Sequence, residues 1–92
     1  MIKSFKHKGL KKFFTNGDQK GINSKHAPRL EERLQALHTA TEIEDMDIPG
    51  WNLHGLKGNR QDQWSISVSG NWRIVFEFEN GNAYIVNYED YH

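Results

Sequence analysis

Three groups of residues carry side chains that can hold a phosphate or move a proton. Arg73 lies mid-strand between Trp72 and Ile74, in the most apolar stretch of the chain. A guanidinium on a rigid strand clamps phosphate oxygens through its planar fork. The plainer reading is an arginine on the solvated face of a two-layer domain, or one paired with Glu77 or Asp90 for stability. The second group is Glu89-Asp90-Tyr91-His92, directly after a strand-like run at the end of the sequence. Asp and His act as general base or acid near neutral pH, and Tyr orients or donates a proton. Terminal residues also commonly fray and carry no role. The third group is Leu53 to Arg60, where Leu53 and Leu56 look like core anchors. His54, Lys57 and Arg60 lie between or beyond them on a glycine-bearing loop or strand end. Such a segment can present imidazole and ammonium groups to a phosphate, or simply expose them.

Other chemistries leave no trace in the pattern. The five histidines lack the His-Glu-x-x-His spacing of a zinc helix, and there is no phosphate-cradling Walker loop, nucleophile elbow or dinucleotide fingerprint. No clustered carboxylate set suits Mg²⁺. Without cysteine, any zinc site would have to be built without thiolates, and no disulfide framework is possible. The expectation is a site with neither metal nor cofactor. Trp51, Trp64 and Trp72 can stack on bases, although Trp64 and Trp72 are better read as core.

The elements that must position these residues follow from periodicity. A short strand is possible over 2–6. Leu10, Phe13 and Phe14 fall at helical spacing within 7–15, and Asn16-Gly17 stops that helix. A second helix is expected from about Ser24 to Thr39, with Pro28 near its start and Leu30, Leu34 and Leu37 on one face. A further helical turn fits 41–47, and 51–57 suits another short strand. Alternation then predicts strands over 64–69, 72–79 and 83–88, with Asn80-Gly81 as a two-residue hairpin turn. Keeping one apolar face together favours a three-residue loop at 69–71, with Val68 opposite Trp72 and Ile66 opposite Ile74. That register puts Trp64, Ile66, Val68, Trp72, Ile74, Phe76, Phe78, Ala83 and Ile85 on the covered face. Ser67, Arg73, Val75, Glu77, Tyr84, Val86, Tyr88 and Asp90 fall on the open face, with His92 if the strand continues. The fold class is α+β: an antiparallel sheet with two helices packed on one face.

Ninety-two residues suit one domain spanning 1–92. The net charge is zero, but residues 1–33 hold nine Lys or Arg against three Asp or Glu, and residues 34–92 hold three against nine. The basic half either meets phosphate or forms the solvated faces of two helices. The basic N-terminus is not followed by the apolar run of a secretory signal, and nothing approaches a membrane span. The expected location is cytoplasmic, with no membrane contact.

The ordered strings Leu53 to Arg60, Trp64 to Val68, Asn71 to Phe76 and Asn87 to His92, with Met1 to Leu10 and Leu34 to Ile43, resemble the HigB toxins. These are the host-inhibition, or plasmid maintenance killer, branch of the RelE-like bacterial toxins, and the resemblance spans the whole chain. It implies a RelE-like microbial ribonuclease-type fold. It implies the toxin of a type II toxin–antitoxin system, which cleaves mRNA in the A site of the 70S ribosome and so stops translation. The implied partners are a helix-turn-helix, HigA-like antitoxin, the ribosome and its mRNA, with operator DNA met only through the antitoxin complex. Carried over position by position, the site is His54, Lys57, Arg73, Asp90, Tyr91 and His92.

Metal-free cleavage uses the RNA's own 2′-hydroxyl as nucleophile. On this reading Arg73, supported by Lys57, holds the phosphate. Asp90, His92 and His54 are the candidates for proton transfer, and Tyr91 positions the substrate or a ribosomal base. Which group is acid and which is base stays open. The rival reading is a catalytically inactive RNA- or antitoxin-binding module of the same fold. The presence of all six residue types argues against it.

Overall fold

The computed structural model describes residues 1–90. Two helices, α1 (Lys8–Asn16) and α2 (Ala27–Thr39), precede a four-stranded antiparallel sheet in the order β1-β2-β3-β4. Its strands are β1 (His54–Gly55), β2 (Gln63–Ser69), β3 (Trp72–Glu79) and β4 (Asn82–Asp90). Both helices pack on one sheet face. Leu10, Phe13, Leu30, Leu34 and Leu37 meet Ile66, Ile74, Phe76, Ala83 and Val86 in one continuous core. The α+β arrangement expected from the sequence is the one observed. Among the described residues, no helix is long and apolar enough to cross a membrane.

The helix ends follow local chemistry. The His7 Nδ1 accepts from the Leu10 N–H at 2.9 Å, capping α1, and Gly17 closes it with φ +75°. A 3₁₀ turn at Ser24–His26 leads into α2, so the α-helix proper starts three residues later than the sequence suggested. The turn expected over 41–47 is a 3₁₀ turn at Ile43–Met46. The Asp45 carboxylate accepts from the Thr41 and Glu42 N–H groups there, which hold its pKa below the usual value. Residues 2–6 form no strand of their own. They run parallel to β4 through bridges at Ile2–Ala83 and Phe5–Val86, covering its outer edge. The 51–57 strand shrinks to the two residues of β1.

Two bulges correct the expected sheet. Ser69 pairs with Trp72 across a Gly70-Asn71 turn, and the register shifts between Ser67 and Ser69. The connection is therefore a two-residue turn plus a bulge at Val68, not a three-residue loop. The extra residue sits within the strand, which keeps Ile66 opposite Ile74 and Val68 buried. The second bulge falls in β4, where the partners shift from Glu77–Tyr84 to Val75–Asn87 and Ile85 takes φ +47°. A β-branched residue there costs roughly 1–3 kcal/mol. In return the following residues change face. Val86 and Tyr88 enter the core, and burying a side chain like Val86 contributes about 1.5–3 kcal/mol. Val86, Tyr88 and Asp90 thus lie on the covered side, not the open one, and Ile85 moves to the open side.

Candidate active site

The bulge at Ile85 decides which residues face Arg73. Arg73 pairs with Ser67 on β2 and Glu89 on β4, whereas Asp90 pairs with Trp72. The sequence had placed Arg73 and Asp90 on one face by simple alternation, and the bulge separates them. Asp90 is exposed at the end of β4. Tyr91 and His92 lie outside the described residues.

The structure brings His54 to Arg73. A turn through Gly50 and Asn52, both with positive φ, sets the chain beside β2, where His54 pairs with Ser65. The His54 Nδ1 is 3.0 Å from the Asn52 carbonyl oxygen, and Nε2 is 3.1 Å from the Arg73 Nη1. A carbonyl only accepts and a guanidinium only donates, so these partners assign the neutral tautomer with the proton on Nδ1. The Nε2 lone pair therefore points at Arg73. The buried Ser65 hydroxyl joins both, 3.3 Å from Arg73 Nη1 and 3.4 Å from His54 Nε2.

Beside this trio, Arg60 reaches across the open face to β4. Its guanidinium donates to both carboxylate oxygens of Glu89, at 3.1 and 2.5 Å, and its Nε donates to Gln63 at 3.1 Å. Asn87 donates to Glu89 at 3.0 Å. Burial pushes the Glu89 carboxyl up. The Arg60 hydrogen bonds and charge, Asn87 and the Lys6 charge outweigh it and leave the pKa below the usual carboxylate value. Arg60 lies at the junction of two concavities. One, of about 340 Å³, holds His54, Lys57 and Leu56. The other, of about 390 Å³, has Val75 and Ile85 as its apolar lining and Lys6, Gln63 and Asn87 as polar lining. Lys57 is exposed and precedes a 3₁₀ turn at Gly58–Arg60.

All three cations of residues 34–92 thus gather on one sheet face, away from the helices. Arg73, His54 and Lys57 were legible in the sequence as candidates. Ser65 was missed, because a lone serine in an alternating strand carries no chemical signature until register is known, and Glu89 was grouped with the terminal residues without its partner Arg60. Trp51 is not a base-stacking platform. It is 6% exposed beneath Arg33, whose guanidinium lies 4.7 Å from its ring. Among the described residues, no three His, Asp or Glu side chains converge as metal ligands. The arrangement offers an imidazole lone pair beside a guanidinium on a cationic concave face. That suits acid–base work at a phosphate.

Residues 3–92 match the family model described as the RelE-like toxin of type II toxin–antitoxin system HigB. A curated relative, the endoribonuclease HigB of Proteus vulgaris, is 55% identical over 92 residues, covering all of both chains. With a match of that length joined to a RelE-like sheet, the chain belongs to the HigB-like family of RelE-like toxins.

Proposed function

We propose that this protein is the toxin of a type II toxin–antitoxin pair and an endoribonuclease that cuts mRNA in the ribosomal A site. The observation that carries the reading is the hydrogen-bonded His54–Ser65–Arg73 group on the cationic open face, in a chain 55% identical to a named endoribonuclease. The natural partners are a HigA-like antitoxin, the ribosome and its message. Operator DNA is met only through the antitoxin complex, and the protein works in the cytoplasm.

The chemistry suited to these groups uses the RNA's own 2′-oxygen. A base removes the 2′ proton, the 2′ oxygen bonds to phosphorus, and the bond from phosphorus to the 5′ oxygen breaks. An acid returns a proton to that oxygen, leaving a 2′,3′-cyclic phosphate and a 5′-hydroxyl. Arg73, with Lys57 in support, takes the phosphate. Drawing Arg73 to the phosphate frees the His54 Nε2 lone pair, which suits His54 to the base. His92 is the candidate for the acid, Asp90 acts by orienting a histidine, and Tyr91 stacks on or orients the substrate. Each proton-transfer group is worth roughly 10²–10⁴-fold.

The test is a defined translation system programmed with one short message, run with and without ribosomes, with EDTA controls in the ribosome-free arm. RNA ends are mapped by primer extension. The expected result is cleavage at A-site codons only when ribosomes are present, lost in Arg73→Ala and His92→Ala, with both variants still folded and antitoxin-bound. Intact message with the wild-type protein overturns the enzymatic reading. Full potency in both variants overturns the site assignment.

A further inference from the structure

The segment that carries His54 and Lys57 is thinly attached to the sheet. β1 contributes two paired residues, His54 with Ser65 and Gly55 with Trp64, and the Leu56 N–H adds one bond to the Gln63 carbonyl at 2.9 Å. Nearer its start, the Asn52 side chain reaches Ser67 at 3.3 Å. The opposite flank of the open face is β4, which carries Glu89. β2 and β3 lie between these two flanks in the sheet order.

Among the described residues, the Arg60–Glu89 pair spans that gap. Arg60, three residues after Lys57, closes both ends of the Glu89 carboxylate in a fork-to-fork pair, and Gln63 and Asn87 hold the two partners in orientation. Among the described residues there are two ion pairs. The other, Arg33–Glu32, joins neighbours within α2. A bidentate pair fixes direction as well as distance, which a single charge contact does not.

We propose that Arg60 and Glu89 are positioning residues, a latch that ties the His54/Lys57 segment to β4 across the open face and so fixes the spacing of His54 and Lys57 from Arg73. The inference rests on the endonuclease reading, because that spacing matters only if these residues act on one phosphate. Misplacement by about 1 Å can cost on the order of 10²-fold in rate. A pair that served stability alone would change the melting midpoint and leave the chemistry of the folded protein intact.

The experiment uses Glu89→Gln, Arg60→Lys and the exchanged double variant Arg60→Glu/Glu89→Arg. Glu89→Gln is nearly isosteric, and Arg60→Lys keeps charge but loses the fork. Single-turnover cleavage on programmed ribosomes gives the rate at saturating toxin and the half-saturating concentration. The His54 imidazole resonances of the free toxin report on its contact with Arg73. The expected result for both single variants is a saturated rate lower by roughly 10- to 100-fold. Half-saturation stays within about twofold of wild type, since ribosome binding is untouched, and the His54 resonances shift. The exchanged pair recovers part of the rate. Wild-type saturated rates with unmoved His54 resonances overturn the latch. So does a rate loss that disappears when the assay is cooled well below each variant's melting midpoint. If the wild-type protein leaves the message intact, the endonuclease reading fails by itself, and shifted His54 resonances still register the latch.

Discussion

At the scale of single residues, the chemistry turns on what Arg73 touches. Its Nη1 donates to the His54 Nε2 and to the Ser65 hydroxyl, so one guanidinium fixes the tautomer of the imidazole beside it, and in the proposed mechanism it also takes the phosphate. A lysine at this position would keep the charge but not the planar fork that matches phosphate oxygens. Arg73→Lys is expected to slow single-turnover cleavage by about 10²-fold or more, in line with the loss of one preorganised donor at a reacting centre. Toxin binding to programmed ribosomes should change far less. Cleavage at the wild-type rate would show that point charge alone suffices there.

At the scale of elements, close packing imposes its own demands on sequence. The loop after α1 returns so near to the helix start that a Cβ built on Gly9 would stand 2.5 Å from the Gly21 carbonyl oxygen and 2.8 Å from its Cα. Both neighbours are backbone, so neither can rotate away. Gly9→Ala is expected to destabilise the fold by about 1–3 kcal/mol, the usual cost of overpacking, seen as a lower midpoint in urea unfolding. An unchanged midpoint would mean that the loop yields freely. The edge of β2 beyond β1, where the Ser67 N–H donates to the Trp51 carbonyl at 2.7 Å, shows a different solution to an element-level problem. Its Ser67 and Val68 carbonyls accept from Arg33 at 2.7 Å and Arg29 at 3.1 Å, so α2 covers an edge that β1 is too short to pair. Two of the nine cations in the basic N-terminal third therefore serve the sheet. Lys8, Lys11 and Lys12 are exposed on α1.

At the scale of the whole molecule, two histidines tie stability to pH. Burial, only partly offset by a backbone hydrogen bond, holds the His7 imidazole below its ordinary value of 6.5. Burial, with the Arg29 charge adding to it, does the same for His26. In the unfolded chain both bind protons as pH falls through about 6.5. In the folded protein they resist until a lower pH. Between those values the unfolded state holds more protons, so stability rises with pH across the window and falls on acidification. Protonation of His7 also removes the acceptor that caps α1, and the His26 Nδ1 sits 2.5 Å from the Tyr88 hydroxyl in the core. The melting midpoint is expected to fall between pH 7.5 and pH 5.5, with a smaller fall in His7→Asn, which keeps a cap acceptor that does not titrate. A further loss belongs to Glu89. Its pKa is depressed, so its contribution is complete above about 4.5 and disappears as pH drops through the folded value. A midpoint that rises on acidification from pH 7.5 would contradict the histidine argument.

Much of this protein is written locally in its sequence. Helical spacing in Leu30, Leu34 and Leu37, the alternation around Ile66 and Ile74, and the Asn80-Gly81 turn with φ +52° and +78° each depend on a few neighbouring residues. The helices, the main strands and the covered sheet face follow from them. His54, Lys57 and Arg73 were recognisable as candidates because their side chains are unusual beside apolar anchors. Register across the sheet is a different kind of information. Alternation assumes an unbroken period of two, and a single residue in the left-handed region at Ile85 reverses the side chains from Val86 to Asp90. No local feature of Ile85 announces this, since a β-branched residue disfavours that conformation. The reversal is stabilised by distant partners, with Val86 and Tyr88 entering a core built by helices more than forty residues earlier. The same bulge turns Glu89 toward Arg60 and Asp90 away from Arg73. The sequence thus determined which groups were available, and only the tertiary packing decided which of them meet.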